Sequence, residues 1–273
     1  MKQTILTLTV ATFSLAILCT ACKKKNDVIP FVPQTIVVAL NSNQEIPSNG
    51  RTSVGTATIK ILENNKLTLA VSINNTVANE VANGLHIHAA DAVTNGPIVV
   101  GFTITNAVAG EINGEALAVR QSFIDSLKAG VADLYVNVHS PTSPAGIARG
   151  QINQKITDAY TVSLTGAAEV PAVSTTATGL AVIRVTNDNK MISKITVSNI
   201  ETGDALRFAH IHRGAVGVNG AILTNLADVV GDFGITKTLT LDVATVTALR
   251  TEALYINVHS NTSPAGKLRG QIR

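Results

Sequence analysis

Leu134-Tyr-Val-Asn-Val-His-Ser-Pro-Thr-Ser-Pro-Ala-Gly-Ile-Ala-Arg-Gly-Gln-Ile152 returns 120 residues later as Leu254-Tyr-Ile-Asn-Val-His-Ser-Asn-Thr-Ser-Pro-Ala-Gly-Lys-Leu-Arg-Gly-Gln-Ile272. In the first copy Leu134, Val136 and Val138 fall on one face of an extended chain and Tyr135, Asn137 and His139 on the other. That period of two marks a strand with one face on a core. Pro144-Ala-Gly146 and Pro264-Ala-Gly266 read as a tight turn into one further strand. The stretch is thus the end of a β-domain, and its recurrence says that the domain is written twice.

Upstream the copies continue to match. Glu45-Ile46-Pro47 returns as Glu169-Val170-Pro171, Gly55-Thr-Ala-Thr-Ile-Lys-Ile as Gly179-Leu-Ala-Val-Ile-Arg-Val, and His86-Ile87-His88 as His210-Ile211-His212, all at an offset of 124. The second copy is therefore four residues shorter between its two histidine segments, which marks a loop region there. Leu67, Leu69, Val71 and Ile73 alternate with polar or small residues, as do Ala57, Ile59 and Ile61. One stretch per copy has a helical pattern, Ser122 to Lys128 and Val243 to Thr251. The fold class is all-β: two tandem antiparallel β-sandwich or flattened-barrel domains, 35–153 and 160–273, each of seven or eight strands with one short helix.

Aromatics make up 3% of the chain against 45% hydrophobic residues, so the cores are built from Val, Ile, Leu and Ala. Of 21 Lys and Arg, Lys2 lies in the leader and Lys23, Lys24 and Lys25 just after it, which leaves 17 to face 18 Asp and Glu. A near-neutral body argues against a nucleic-acid partner, which calls for a basic face.

The first residues have the form of an export signal: Lys2, a mostly apolar stretch from Ile5 to Leu18, then small residues before Cys22. Residues 1–22 read as a lipoprotein signal peptide with Cys22 as the lipidated residue, and 23–34, with Pro30 and Pro33, as an extended tether. The expected location is an exported protein held to a membrane by its N-terminal lipid, at the outer membrane and facing either the periplasm or the surface. No cysteine follows Cys22, so the folded part has no disulfide and depends on packing.

All six histidines lie in the repeated segments, three per copy. On a strand His86 and His88 leave the same face ~6.5–7 Å apart while Leu85 and Ile87 face the core. With His139 from another strand they make a candidate three-histidine metal site; His210, His212 and His259 make the second. Three neutral imidazoles suit copper or zinc and leave a position for water or a substrate. The other reading is that the rings brace the fold by bonding backbone groups. Glu45, Asn137, Arg149 and their counterparts Glu169, Asn257, Arg269 are candidate supports that orient the ligands. Ser140 and Ser260 adjoin histidines, but adjacency in sequence does not make a nucleophile and its base. The chain shows no phosphate loop or paired-carboxylate motif.

Gly84-Leu-His86-Ile-His88, Leu-Tyr-Val-Asn-Val-His139-Ser, Pro-Ala-Gly146 and Arg149-Gly-Gln-Ile together resemble the CHRD (chordin) domain family. The second copy carries Ala-His210-Ile-His212, Leu-Tyr-Ile-Asn-Val-His259-Ser and Arg269-Gly-Gln-Ile. The resemblance implies a β-module of secreted and surface proteins, bacterial lipoproteins among them, and no known reaction; in animal chordin such domains belong to a protein that sequesters growth factors. A looser similarity is to copper/zinc superoxide dismutase, in which a Gly-x-His-x-His strand and a later Val-His strand supply copper ligands. His86, His88 and His139 match three of them, and Arg149 would lie near its arginine. The bridging histidine, zinc ligands and disulfide of that family have no counterparts, so dismutation is not implied.

The expected function is a non-catalytic, membrane-anchored envelope module that binds an unidentified envelope or extracellular ligand or organises the surface. A metalloprotein with one copper or zinc ion per domain, open to redox activity, is the first alternative. A structural spacer is the second.

Overall fold

Alternation along the chain is what builds the two sheets. The computed structural model describes residues 31–78, 80–108 and 110–273, and Val32–Arg273 cluster as one unit. Cys22, the signal peptide and the first eight residues of the tether lie outside the described residues. In the first domain the strands are β1 (Gln34–Asn41), β2 (Val54–Ile61), β3 (Leu67–Asn74), β4 (Gly84–Ala89), β5 (Ile98–Gly101), β6 (Thr103–Val108), β7 (Glu111–Ala116), β8 (Leu134–Ser140) and β9 (Ser143–Gln151), with helix α1 at Gln121–Ala129. The second has β10 (Ile156–Thr165), β11 (Thr178–Thr186), β12 (Lys190–Ser198), β13 (Leu206–Arg213), β14 (Ile222–Ala227), β15 (Lys237–Thr240), β16 (Leu254–Ser260) and β17 (Leu268–Gln271), with α2 at Val243–Thr251.

All pairings are antiparallel, in the orders β5-β4-β8-β9-β1-β2-β3-β7-β6 and β14-β13-β16-β17-β10-β11-β12-β15. Each sheet curls into a near-barrel around its own aliphatic core: Ile59, Leu67, Leu69, Leu85, Ile87, Val136 and Val138 in the first, Leu164, Ile183, Val185, Ile211, Ile256 and Val258 in the second. One helix per domain closes the core, Ile124 and Leu127 of α1 and Val246 and Leu249 of α2 being buried. Helix α1 ends on Gly130 in the left-handed region, and α2 starts where the Asp242 side chain accepts the Thr245 amide. No helix among the described residues is long and apolar enough to cross a membrane.

The second domain has eight strands, within the seven or eight expected, and the first has nine, one more than expected. The difference falls where the chain lengths differ: the first copy has the edge hairpin β6–β7, the second a short 3-10 turn at Val230–Asp232 and the short β15. The four-residue shortening is accompanied by the loss of an edge strand, one that pairs on one side alone and holds no interior position.

The domains also pack on one another. Ala92 and Val93, from the loop after β4, are buried against Val182 of β11 and Ile192 of β12, beside Leu180. Thr236 donates to the Asp91 carboxylate at 2.7 Å. Arg184, 0% exposed, donates to the carbonyls of Gln44 (3.0 Å), Tyr160 (2.8 Å) and Ile183 (2.9 Å). Leu180, Val182 and Ile192 stand at the 124-residue offset from Thr56, Thr58 and Thr68. The second copy has thus exchanged threonines for aliphatics on the outer face that meets the first domain.

Candidate metal centre

Strand β4 lies between β5 and β8, so its alternation has two consequences at once. Leu85 and Ile87 go to the core, and His86 and His88 go to the outer face beside Tyr135, Asn137 and His139 of β8. In register His86 faces Asn137, His88 faces Tyr135, and Gly84 faces His139. The sequence-predicted triads come together: one ligand atom from each of His86, His88 and His139 lies within 4.8 Å of the others, as it does in His210, His212 and His259. Ring centroids are 5.7 Å (His86–His88), 4.9 Å (His86–His139) and 5.8 Å (His88–His139) apart, with 5.6, 5.1 and 6.1 Å in the second domain.

Backbone carbonyls orient two of the three rings. His88 Nδ1 lies 2.9 Å from the Gly96 carbonyl and His139 Nδ1 3.0 Å from that of Pro144; His212 and His259 repeat this on Gly220 and Pro264, both at 3.0 Å. An Nδ1–H donated to a carbonyl leaves Nε2 as the free lone pair. His88 Nε2, His139 Nε2 and His86 Nδ1 are buried and lack a hydrogen-bond partner, as is His212 Nε2. In the second domain His210 Nδ1 lies 3.3 Å from His259 Nε2, within hydrogen-bond distance.

Burial favours the neutral form of His86, His88, His139, His210 and His259. Burial lowers His86, with a further push from His88, and lowers His88, which also feels Arg149. His139 and His259 are each pulled down to about 4, mainly by burial, partly opposed by their carbonyl bonds and helped by neighbouring histidines. Neutral imidazole is the form that binds a metal.

Arg149 and Arg269 support the triads indirectly. Arg149 donates to the carbonyls of Asp91 (2.6 Å) and Thr94 (3.0 Å) and to the Asn95 side chain (3.1 Å), and Gln151 donates to the Ala90 carbonyl (2.8 Å). These bonds hold the loop that carries the Gly96 carbonyl. Arg269 treats Ala215, Val218 and Asn219 in the same way, ahead of Gly220. The guanidinium also lies 3.5 Å over the Tyr135 ring, whose other neighbour is the stacked His88 ring at 4.8 Å and 8°. In the second domain Arg269, Tyr255 and His212 repeat the stack at 3.4 Å and 5.0 Å. Tyr135 takes the Gly96 amide at 3.2 Å and Tyr255 the Gly220 amide at 3.2 Å.

Glu45 and Glu169 bond to asparagines and not to histidines: Asn137 donates to Glu45 at 3.4 Å and Asn257 to Glu169 at 3.3 Å. Burial pushes both carboxyls up to about 7, against the pull of Arg149 and Arg269 respectively. Ser140 and Ser260 bond Glu80 and Asp204. Sequence reasoning did not assign roles to Tyr135, Tyr255 or the carbonyls of Gly96 and Pro144. The tyrosines carried a signal, since each shares a strand face with a histidine; backbone carbonyls carry none.

The CHRD domain family matches the chain at residues 36–152 and again at 160–272. No curated protein and no solved structure matches it. Two CHRD domains are a binding or structural module. With both copies of the fold, both histidine triads and both matched spans in register, the chain belongs to the CHRD domain family, as two tandem domains.

Proposed function

We propose that this protein is a membrane-tethered envelope module in which each CHRD domain binds one copper or zinc ion through three imidazoles. His86 Nδ1, His88 Nε2 and His139 Nε2 hold the first, and the equivalent atoms of His210, His212 and His259 the second. The observation that carries this is the set of three buried, unpartnered nitrogens converging in the first domain. Bracing of the fold accounts for the two Nδ1–carbonyl bonds but leaves the converging atoms without partners, at a cost of about 1–3 kcal/mol each. A metal ion removes that cost. Three nitrogen donors with no carboxylate among them suit copper and zinc better than calcium or magnesium.

The rest of the proposal concerns placement: Cys22 is lipidated, residues 23–34 form the tether, and the domains work outside the cytoplasm. Full chain purified in detergent, stripped and reloaded, should retain about two equivalents of copper or zinc. The His88→Ala, His212→Ala double variant should retain almost none. Unchanged metal content in that variant overturns the metal reading. Cys22→Ser should release the protein from the membrane fraction; a variant that stays there overturns the lipid anchor.

A further inference from the structure

The two triads are alike in their ligands but not in what surrounds them. In the first domain the residue two before His86 is Gly84, paired with His139 across the strands, and the residue paired with His86 on its other side is Gly101. In the second these places hold Phe208 and Asn225. Glycines therefore flank His86 on two sides, where the second triad carries an aromatic ring and an amide beside His210.

The position of residue 84 is close to where a ligand would approach. A Cβ there would lie 3.1 Å from His86 Cε1 and 3.3 Å from His139 Cδ2. In an imidazole these carbons adjoin the ligand nitrogens, Cε1 next to Nδ1 and Cδ2 next to Nε2. A side chain at this position thus borders the metal-binding edge of both rings. In the second domain Phe208 occupies it, with its ring 5.2 Å from that of His210 and 4.8 Å from that of His259. Pairing of β13 with β16 is irregular between Leu206 and Ala209, so Phe208 sits in a bulge, which re-aims a side chain. His259 is 7% exposed, whereas its counterpart His139 is half-buried.

We infer that the two centres are not equivalent: the first binds a small exogenous ligand, such as an anion, at its metal, and the second is closed to it by Phe208. This rests on the metal-binding reading above. It gives the doubled domain a division of labour, one reactive centre and one shielded centre. Arg207, at the rim beside Phe208, is a cation that draws anions towards the second centre, so exclusion there is the work of the ring and not of charge.

Azide titration of the copper-loaded full chain, followed by its charge-transfer absorbance, tests this. The His210→Ala, His212→Ala variant retains only the first centre and the His86→Ala, His88→Ala variant only the second. The copper content of each, measured before azide is added, reports on the parent reading. Azide is expected to bind the first centre roughly tenfold or more tightly than the second. Adding Phe208→Gly, or Phe208→Ala, to the variant that keeps the second centre should raise its azide affinity by a similar factor, with Arg207 unchanged. Copper in both centres with azide affinities within twofold, or no response to either Phe208 substitution, overturns the asymmetry and leaves metal binding standing. No copper in either centre overturns both.

Discussion

Glu45→Gln is the most informative single substitution in this chain. Glu45 is 3% exposed, its carboxyl is pushed up to about 7 by burial against an ordinary 4.5, and Arg149, Asn137 and Arg184 only partly offset that push. A native value above the unfolded one means that the folded chain holds the extra proton between pH 4.5 and 7. The contribution is fully present below 4.5 and is lost as pH rises through 7, a loss of about 3 kcal/mol at pH 8 for a shift of this size. Glu45 Oε1 and Asn137 Oδ1 are both buried without partners, and both border the space that a side chain on Gly146 would fill. A proton on the carboxyl, or the amide of glutamine, can bridge them. Glu45→Gln should therefore match the parent near pH 4.5 and exceed it by up to about 3 kcal/mol at pH 8, as measured by urea unfolding followed by circular dichroism. Equal stabilities at pH 8, or a variant less stable there, would refute the reasoning and identify Glu45 as an ionised partner of the two arginines.

The same physics gives three further expectations. His139 and His259 are held near 4, so their contribution is present above the unfolded value of 6.5 and falls away as pH drops towards 4. This trend opposes that of the glutamates, and in the Glu45→Gln, Glu169→Gln double variant the stability of the metal-free protein should rise with pH from 4 to 6.5; a flat profile there counts against neutral buried imidazoles. Tyr135→Phe removes the acceptor of the Gly96 amide, 3.2 Å away, and loosens the carbonyl that orients His88. It should lower metal affinity in the first domain by roughly 10–100-fold at a stability cost of about 1 kcal/mol, read by competition with a chelator; unaltered affinity would remove the tyrosine from the site. Arg184→Ala strands the carbonyls of Gln44, Tyr160 and Ile183. A loss of about 1–3 kcal/mol for each carbonyl left without a partner, with the unfolding of the two domains separating into two steps, is expected in denaturant, and a single transition at the original midpoint would contradict it.

Much of the fold and of the candidate site was legible because strands have a period of two. Leu85 and Ile87 had to face opposite to His86 and His88, and Leu134, Val136 and Val138 opposite to Tyr135, Asn137 and His139, whatever the rest of the chain did. Both helices were likewise marked by their own sequence, Gln121–Ala129 and Val243–Thr251 enclosing or matching the expected spans. The edge strand β6 was not legible: four of its six residues are exposed, and the two that pack on the core, Ile104 and Ala107, stand three apart across a register shift, which breaks the period of two. The contact between domains left a trace that only a partner could explain. Leu180 and Val182 break an alternation that Thr56 and Thr58 keep, because the outer face of β11 is covered by Ala92 and Val93.

By itself the sequence determined that two copies of one β-domain exist, that six histidines divide three and three, and which strand face each histidine takes. Those are local properties, set by repetition and by the geometry of an extended chain. Tertiary structure decided that β4 and β8 are neighbours, so that His139 meets His86 and His88, and that Arg149 pins the loop whose Gly96 carbonyl turns His88 Nε2 towards them. It also decided that the Phe208 ring lies beside His210 and His259, where the first triad has Gly84. Strand pairing joins residues about 50 positions apart, and no pattern within a single strand records which other strand will lie beside it.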